Sequence, residues 1–174
     1  MLHCALTGFK RQPNIRNHLI RAQLPNPKKP YPVRSNKGMF KCGRECPTCP
    51  FIQEGKTIKI NKNTDWKVSR KVNFQSFNIV YMIKCVKENF NKRYIGETKR
   101  MLKSRMADHR GYVISGNTET ATGAHFNSPG HSLSHMKVSV IEQVKKKDDN
   151  YRRIREKYHI EKFNTLNNGL NKQN

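Results

Sequence analysis

An arginine and a histidine stand among apolar residues on one side of a predicted helix. The segment Thr98 to Arg110 has helical periodicity, and Thr98 is a residue type that commonly caps a helix N-terminus. The inward stripe at i, i+3, i+4 and i+7 consists of Leu102, Arg105, Met106 and His109. A cation and an imidazole on the buried side of a helix are typical of a binding or catalytic site.

A carboxylate has a similar placement on a second predicted helix. Asp148 and Asp149 mark the N-terminus of this helix, where negative charge is favoured. Further along, Glu156 shares one face with Ile160 and Phe163. Because no other acidic residue is predicted to face inward, Glu156 is the expected ligand of a metal ion. One carboxylate supplemented by water suits Mg²⁺ or Mn²⁺, which are hard cations that prefer oxygen ligands.

Three cysteines lie within eight residues of one another. Cys42, Cys46 and Cys49 form a compact group of soft ligands, for which zinc is the default metal. Such a group favours metal binding in a reducing compartment over a disulfide framework. The fourth ligand is open, with Cys85, Cys4 or a water as candidates. The alternative is that the three thiols bind no metal.

Three segments with strand patterns must position these groups. The segment Asn78 to Cys85 alternates with a period of two, and Arg93 to Glu97 is its predicted antiparallel partner. The segment Met136 to Val144 alternates in the same way and predicts a third strand. The first pairing would place three residues at neighbouring positions on one face: Tyr81, Tyr94 and Gly96.

The charge of the chain indicates its class of partner. Among 174 residues, 35 Lys and Arg outnumber 12 Asp and Glu, which gives a net charge of +23. Nucleic acid is the leading partner, since each neutralised phosphate releases condensed counterions. A ribosomal or chromatin protein would have the same balance. No apolar run approaches the ~20 residues of a membrane span, and the N-terminus lacks the pattern of a secretory signal.

The sequence predicts three regions. They are a basic, proline-rich tail over residues 1–37, a cysteine-containing segment with a hairpin over 38–75, and a core domain over 76–174. Thr57 to Ile60 and Trp66 to Phe74 are the two predicted arms of the hairpin. The lone Trp66 is interpreted as a packing residue rather than a base-stacking one.

Taken in order, these residues resemble the GIY-YIG endonuclease family. The pattern is a tyrosine, then Tyr-Ile-Gly-x-Thr, then Leu-x-x-Arg-x-x-x-His, and finally Arg-Glu-x-Tyr-x-Ile before Gly-Leu-Asn. The matching stretch covers about Phe77 to Lys172, with Ile79 where the family has its first glycine. The resemblance implies an α/β fold in which a small, mainly antiparallel three-stranded sheet is flanked by helices.

The cysteine spacing and the pair His125 and His131 are most similar to the C-terminal endonuclease of Penelope-like retroelements. In that group, two histidines and two cysteines form a second zinc site. Cys85 matches the first cysteine and Glu88 stands near the place of the second, so the site either uses this carboxylate or is lost. The group also has a cysteine where this chain has Phe74, which leaves the ligands of the first cysteine group open.

The resemblance implies a phosphodiester-cleaving activity with assigned roles. Glu156 would hold Mg²⁺, and Tyr81 would act as general base on a water, with its pKa lowered by the metal and by nearby positive charge. Arg105 would hold the phosphate and offset charge in the transition state. Tyr94 and His109 would orient the water and the phosphate, with His109 as a candidate proton relay.

Gly96 and Asn171 have supporting roles in the same interpretation. The absence of a side chain at Gly96 would let the backbone approach the site closely. Asn171 would form hydrogen bonds near the site and hold the C-terminal segment in place.

The expected partner is DNA, together with element RNA and a reverse transcriptase module of a longer polyprotein, and no membrane. Cleavage would leave a 3′ hydroxyl that primes reverse transcription, and the expected location is the nucleus. Two alternatives stay open at this point. One is a catalytically inactive nucleic-acid-binding module, such as a decayed element copy, and the other is a ribosome-associated zinc protein.

Overall fold

The computed structural model describes residues 37–43, 45–60, 64–87, 92–145 and 148–172, all within one compact unit. Residues 1–36 of the predicted tail, including Cys4, lie outside the described residues, and so does Glu88. Within the described ranges, no helix is both long enough and apolar enough to cross a membrane.

A three-stranded antiparallel sheet forms the centre of the unit. Its strands are β5 (Ile79–Cys85), β6 (Arg93–Thr98) and β7 (Met136–Gln143), in the order β6-β5-β7. In the β5–β6 register, Tyr81 lies opposite Gly96 and Ile83 lies opposite Tyr94. The predicted sheet and the predicted neighbourhood of the two tyrosines and the glycine are therefore confirmed.

The central strand β5 is buried along almost its whole length. Every residue from Ile79 to Cys85 is buried except Lys84. A strand with a neighbour on each edge and packing on both faces loses the exposed side that an alternating sequence implies. The pairing of β5 with β7 shifts register between Val80 and Tyr81, so an irregularity falls at a predicted catalytic tyrosine.

The first helix begins later than predicted. Helix α1 (Leu102–Ile114) follows β6 after a short turn, and Met101 rather than Thr98 is its N-cap. Thr98 is the last residue of β6, pairs with Ile79, and its hydroxyl accepts a hydrogen bond of 3.1 Å from the Arg100 amide. The prediction that Thr98 opens the helix is wrong, because sheet pairing and a local side-chain turn take this residue first.

Two further α-helices, and two 3-10 helices at Cys49–Phe51 and Leu133–His135, lie in the described part of the chain. Helix α2 (Ala121–Phe126) has Thr120 as its N-cap, whose hydroxyl accepts a bond of 3.1 Å from the Gly123 amide. Helix α3 (Asp149–Lys162) has Asp148 as its N-cap, as the acidic start of this segment predicted.

The residues before the sheet form two small strand pairs. Strand β1 (Gly38–Met39) runs parallel to β4 (Lys71–Val72), and β2 (Thr57–Lys59) forms a hairpin with β3 (Asp65–Lys67). The predicted second arm of the hairpin is thus divided, because β4 pairs with β1 instead of β2. Trp66 packs edge-on against His159 and Phe163 and donates a 2.9 Å hydrogen bond to the Ile141 carbonyl, which confirms its packing role.

Candidate active site

A cleft of about 360 Å³ opens beside the sheet. Its walls come from β6, α1, α2, α3 and the C-terminal segment, elements that are distant in sequence. Five of the seven predicted catalytic residues line it: Tyr94, Arg105, His109, Glu156 and Asn171. Tyr81 and Gly96 lie next to this group within the sheet, where Tyr81 contacts Arg105 and His109.

The hydroxyl of Tyr81 is the centre of a hydrogen-bonded network. It lies 2.8 Å from His109 Nε2 and accepts a 3.0 Å bond from Arg105 Nε. The Tyr81 side chain is fully buried, and burial raises the pKa of its phenol far above the ordinary value, although Arg105 opposes this shift. The expectation that positive charge lowers the pKa of Tyr81 is wrong for the protein without substrate, because burial outweighs Arg105 and keeps the phenol protonated at neutral pH.

The partners of His109 determine where its proton lies. Because the Arg105 guanidinium can only donate to the Tyr81 oxygen, the phenol proton is directed to His109 Nε2. His109 Nδ1 then carries the imidazole proton, 2.9 Å from the hydroxyl oxygen of Thr122. Burial, followed by the charge of Arg105, lowers the pKa of His109 to about 3, so the ring is neutral.

Gly96 provides the space that this network needs. A Cβ added at Gly96 would lie 2.5 Å from the Tyr81 hydroxyl and 2.8 Å from the ring of Tyr94. Both contacts are too short for real atoms, so any side chain here would displace the tyrosines. The group that closely approaches the Gly96 backbone is therefore the Tyr81 hydroxyl.

Tyr94 presents the second phenol to the cleft. The centre of its ring lies 6.4 Å from that of Tyr81 and 5.5 Å from that of His109. Burial raises the pKa of Tyr94, and Arg105 acts in the opposite direction. Tyr94 lines the cleft, whereas Tyr81 is buried behind it, so Tyr94 is the tyrosine that a bound molecule would meet first.

The carboxylate of Glu156 is held in an environment that disfavours its charge. Burial, and secondly the charge of Glu97, raise the pKa of Glu156 to about 7. The expectation that Glu156 is the only inward acidic residue is wrong. Glu97, at the end of β6, lies close enough to affect it, and forms an ion pair with the buried Arg152.

The Glu156 carboxylate is suited to bind a divalent cation. The ion pairs of the described residues do not include Glu156, whereas Glu97 is already neutralised by Arg152. A half-buried carboxylate with a raised pKa and no direct countercharge gains most from a bound cation. Its oxygen ligand is of the type that Mg²⁺ and Mn²⁺ prefer.

Asn171 ties the C-terminal segment to the outer edge of β6. Its amide accepts a 2.9 Å bond from the Ile95 amide and donates a 2.7 Å bond to the Ile95 carbonyl. The neighbouring Leu170 amide donates to the Arg93 carbonyl at 2.8 Å. These bonds occupy backbone groups of an edge strand and close one wall of the cleft.

The first cysteine group has the compact geometry of a metal site. The sulfur atoms of Cys42, Cys46 and Cys49 lie within 4.8 Å of one another, and those of Cys42 and Cys49 are 3.5 Å apart. Burial, and then hydrogen bonds with the Cys46 and Cys49 thiols, raise the pKa of Cys42 to about 12. Although burial opposes it, the Cys42 thiol and the Thr48 amide lower the pKa of Cys46. Tetrahedral zinc places sulfur ligands about 3.8 Å apart, so the three thiols fit three of its four positions.

A second group of metal-binding atoms lies at the far end of β5. Cys85, His125 and His131 offer one ligand atom each within 4.8 Å of one another. His125 Nε2 is buried and has no hydrogen-bond partner in the described part of the chain. Burial, and then the nearby His131 and Lys92, lower the pKa of His125 to about 4, which keeps the ring in its metal-binding form. The group fits three positions of a zinc site, and the proposed fourth ligand Glu88 lies outside the described residues.

Three residues that shape the site were not predicted. Thr122 bonds to His109, Arg152 is buried against Glu97, and Glu97 influences Glu156. Glu97 directly follows a glycine of the tyrosine motif, which is a weak signal. Thr122 and Arg152 have no local signal, because their partners lie 13 and 55 residues away along the chain.

Comparisons with known proteins give one match. No protein-family model matches the chain, and no curated protein matches it significantly. Among solved structures, the chain is similar to the catalytic domain of homing endonuclease I-TevI. The two are 23% identical, the match covers 55% of this chain and 97% of that one, and the TM-score is 0.46.

Proposed function

We propose that the chain is a metal-dependent endonuclease of the GIY-YIG type that hydrolyses a phosphodiester bond of DNA. The observation that carries this proposal is the buried network of Tyr81, His109 and Arg105 at the wall of a cleft that also holds Tyr94 and Glu156. It combines a cation to bind phosphate, a proton relay, and a carboxylate outside the ion pairs of the described residues that can hold a metal ion.

Arg105 is the residue that binds the scissile phosphate. Its Nε donates a 3.0 Å hydrogen bond to the Tyr81 hydroxyl, which holds the side chain at the wall of the cleft. The side chain is 28% exposed, and the Asp108 carboxylate lies 3.7 Å from Nη1. A guanidinium held in this way is preorganised for a phosphoryl oxygen and for the additional charge of the transition state.

The tyrosines and His109 handle the protons. A water attacks phosphorus as the bond from phosphorus to the 3′ oxygen breaks, so the water loses a proton and the leaving oxygen needs one. Tyr81 takes the proton of the attacking water as its own phenol proton passes to His109 Nε2, with Arg105 stabilising the developing negative charge on the Tyr81 oxygen. A solvent water gives the leaving 3′ oxygen its proton. Tyr94 orients the water in the cleft. Glu156 would hold Mg²⁺, which supplies Lewis-acid stabilisation of phosphoryl charge.

The net charge of +23 supports a nucleic-acid substrate. As a narrower proposal, cleavage of one strand leaves a 3′ hydroxyl that primes reverse transcription during insertion of a Penelope-like retroelement in the nucleus. Element RNA and a reverse transcriptase module are the corresponding partners. Zinc bound at Cys42, Cys46 and Cys49, and at Cys85, His125 and His131, is the proposed structural cofactor.

A catalytically inactive nucleic-acid-binding module is the second candidate. The observation in its favour is that Phe74, at the position of a family cysteine, is completely buried in the hydrophobic core. An element copy that has replaced a zinc ligand with a core residue has departed from the family at one structural site. The charge of the chain suits either candidate equally.

A nicking assay on supercoiled plasmid with Mg²⁺ separates the two. Glu156→Ala and Arg105→Ala are each expected to lower the rate at least 100-fold, because each removes a group that acts on the phosphate. Glu161→Ala, on the exposed side of the same helix as Glu156, is the matched control and should cut normally. DNA binding without nicking by the unaltered chain would instead support the binding module.

A further inference from the structure

We propose that Thr122 is a positioning residue for the reaction, and that it holds His109 with its basic nitrogen toward Tyr81. The inference rests on the proposed nuclease function for its catalytic consequence. The contact between Thr122 and His109 is present in the protein without DNA. Thr122 lies on helix α2, which contributes none of the residues in the tyrosine, arginine and histidine motifs.

The contact is short and shielded from solvent. Thr122 Oγ1 lies 2.9 Å from His109 Nδ1, and the exposed fractions of the two residues are 1% and 2%. Burial removes the hydrogen bonds between an imidazole nitrogen and water, which is unfavourable unless a protein group replaces them. The threonine hydroxyl is thus the group that satisfies the side of His109 facing away from Tyr81.

The hydrogen bonds around Tyr81 give this contact its direction. Arg105 donates to the Tyr81 oxygen, so the phenol proton points to His109 Nε2, and Nε2 must be unprotonated. The proton of the neutral ring is then on Nδ1, where Thr122 accepts it. Without that acceptor, the ring is free to rotate or to move its proton to Nε2. In the second tautomer it can no longer receive the proton of Tyr81.

Helix α2 is built to hold Thr122 in place. Thr120 caps the helix through the Gly123 amide, and a Cβ added at Gly123 would lie 1.9 Å from the Asn117 carbonyl oxygen. The helix backbone is therefore packed directly on the turn that precedes it. One turn beyond Thr122, the same helix presents His125 to Cys85 and His131. Both ends of this short helix are anchored, which fixes the hydroxyl relative to α1.

The test measures the tautomer and the rate in the full chain. Side-chain ¹⁵N NMR of His109 is recorded without DNA, and plasmid nicking is followed at saturating and subsaturating DNA. Thr122→Val keeps the shape but removes the acceptor, Thr122→Ser keeps the acceptor, and Thr122→Ala removes both. Thr118→Val, at an exposed threonine on the preceding turn, is the matched control.

With Thr122→Val and Thr122→Ala, we expect the His109 proton to leave Nδ1 and kcat to fall about tenfold, with KM unchanged. Thr122→Ser should restore the native tautomer and a rate within about twofold of the unaltered chain. If all three variants keep the Nδ1 proton and the full rate, the proposal is overturned. It is also overturned if Thr122→Ser is as impaired as Thr122→Ala, since the hydroxyl would then not be the active group. A tautomer that depends on Thr122 in a chain that never cuts DNA would support the positioning contact and refute the nuclease.

Discussion

The cleft around Tyr81 and the cysteine group around Cys46 satisfy their polar atoms in opposite ways. In the cleft, Tyr81, His109 and Thr122 form a continuous chain of bonds of 2.8 to 2.9 Å within the protein. In the cysteine group, the three sulfur atoms lie within 4.8 Å of one another, with those of Cys42 and Cys49 3.5 Å apart. The first region is preorganised by the fold, whereas the second has the form of a site that an added ion completes.

The two regions are physically linked. Thr48, in the turn between Cys46 and Cys49, accepts a 2.5 Å hydrogen bond from Arg110. Arg110 is the neighbour of His109 on α1, so the cysteine turn packs against the helix that carries the proton relay. An ion bound at the turn would therefore stabilise α1, whereas the hydrogen bonds of the Tyr81 network form without it.

The largest expected effect comes from filling the space at Gly96. In Gly96→Ala, the new methyl group meets the Tyr81 hydroxyl, so the network must shift. We expect a loss of about 1–3 kcal/mol in the free energy of unfolding and at least a 100-fold loss of nicking rate. Denaturant titration and the plasmid assay measure the two effects. Gly111→Ala, in α1 with nothing within 4 Å of the added atom, is the control and should stabilise the chain by up to about 1 kcal/mol. A fully active Gly96→Ala would show that the network is not preorganised.

Zinc should change stability by an amount similar to that of Gly96→Ala, but it should leave the nicking rate unchanged. At a hundredfold excess over its Kd, zinc is expected to raise the free energy of unfolding by about 2.7 kcal/mol for each site that it occupies. Cys46→Ser should abolish the part of this gain that belongs to the first cysteine group, and elemental analysis should show one zinc fewer per chain. The His109 tautomer in apo and zinc-loaded protein is the discriminating measurement. If the His109 tautomer changed with zinc, the Tyr81 network would depend on the ion and would not be preorganised by the fold alone.

The smallest effect concerns the protonation of Glu156. Its pKa of about 7 lies above the ordinary value of 4.5, so the folded chain holds a proton that the unfolded chain releases between these pH values. The free energy of unfolding should therefore fall as pH rises from about 4.5 to 7. In metal-free buffer, Glu156→Gln should be more stable than the unaltered chain by about 1–2 kcal/mol at pH 8, after allowance for solvent screening, and equal to it near pH 4. Thermal unfolding across this range provides the measurement, and Glu161→Gln is the control. A pH-independent difference would mean that the Glu156 carboxylate is well solvated.

The sequence by itself determined the local features of the site. A 3.6-residue period places Leu102, Met106 and His109 on the buried side of α1, with Arg105 at its edge. A period of two, together with a short connection, sets Tyr81 opposite Gly96. These features follow from backbone geometry over a few residues, so they can be read without knowing what lies across the cleft.

Tertiary structure alone decided the partners. It brought Thr122 to His109, placed Glu97 beside Glu156, and gave Thr98 to the sheet rather than to the helix. It also gathered the buried Cys85 with two histidines more than 35 residues further along the chain. Periodicity assigns a residue to a face but does not say which distant residue packs on that face. That choice depends on how whole elements pack, and it is made by burial and by the pairing of polar groups excluded from water.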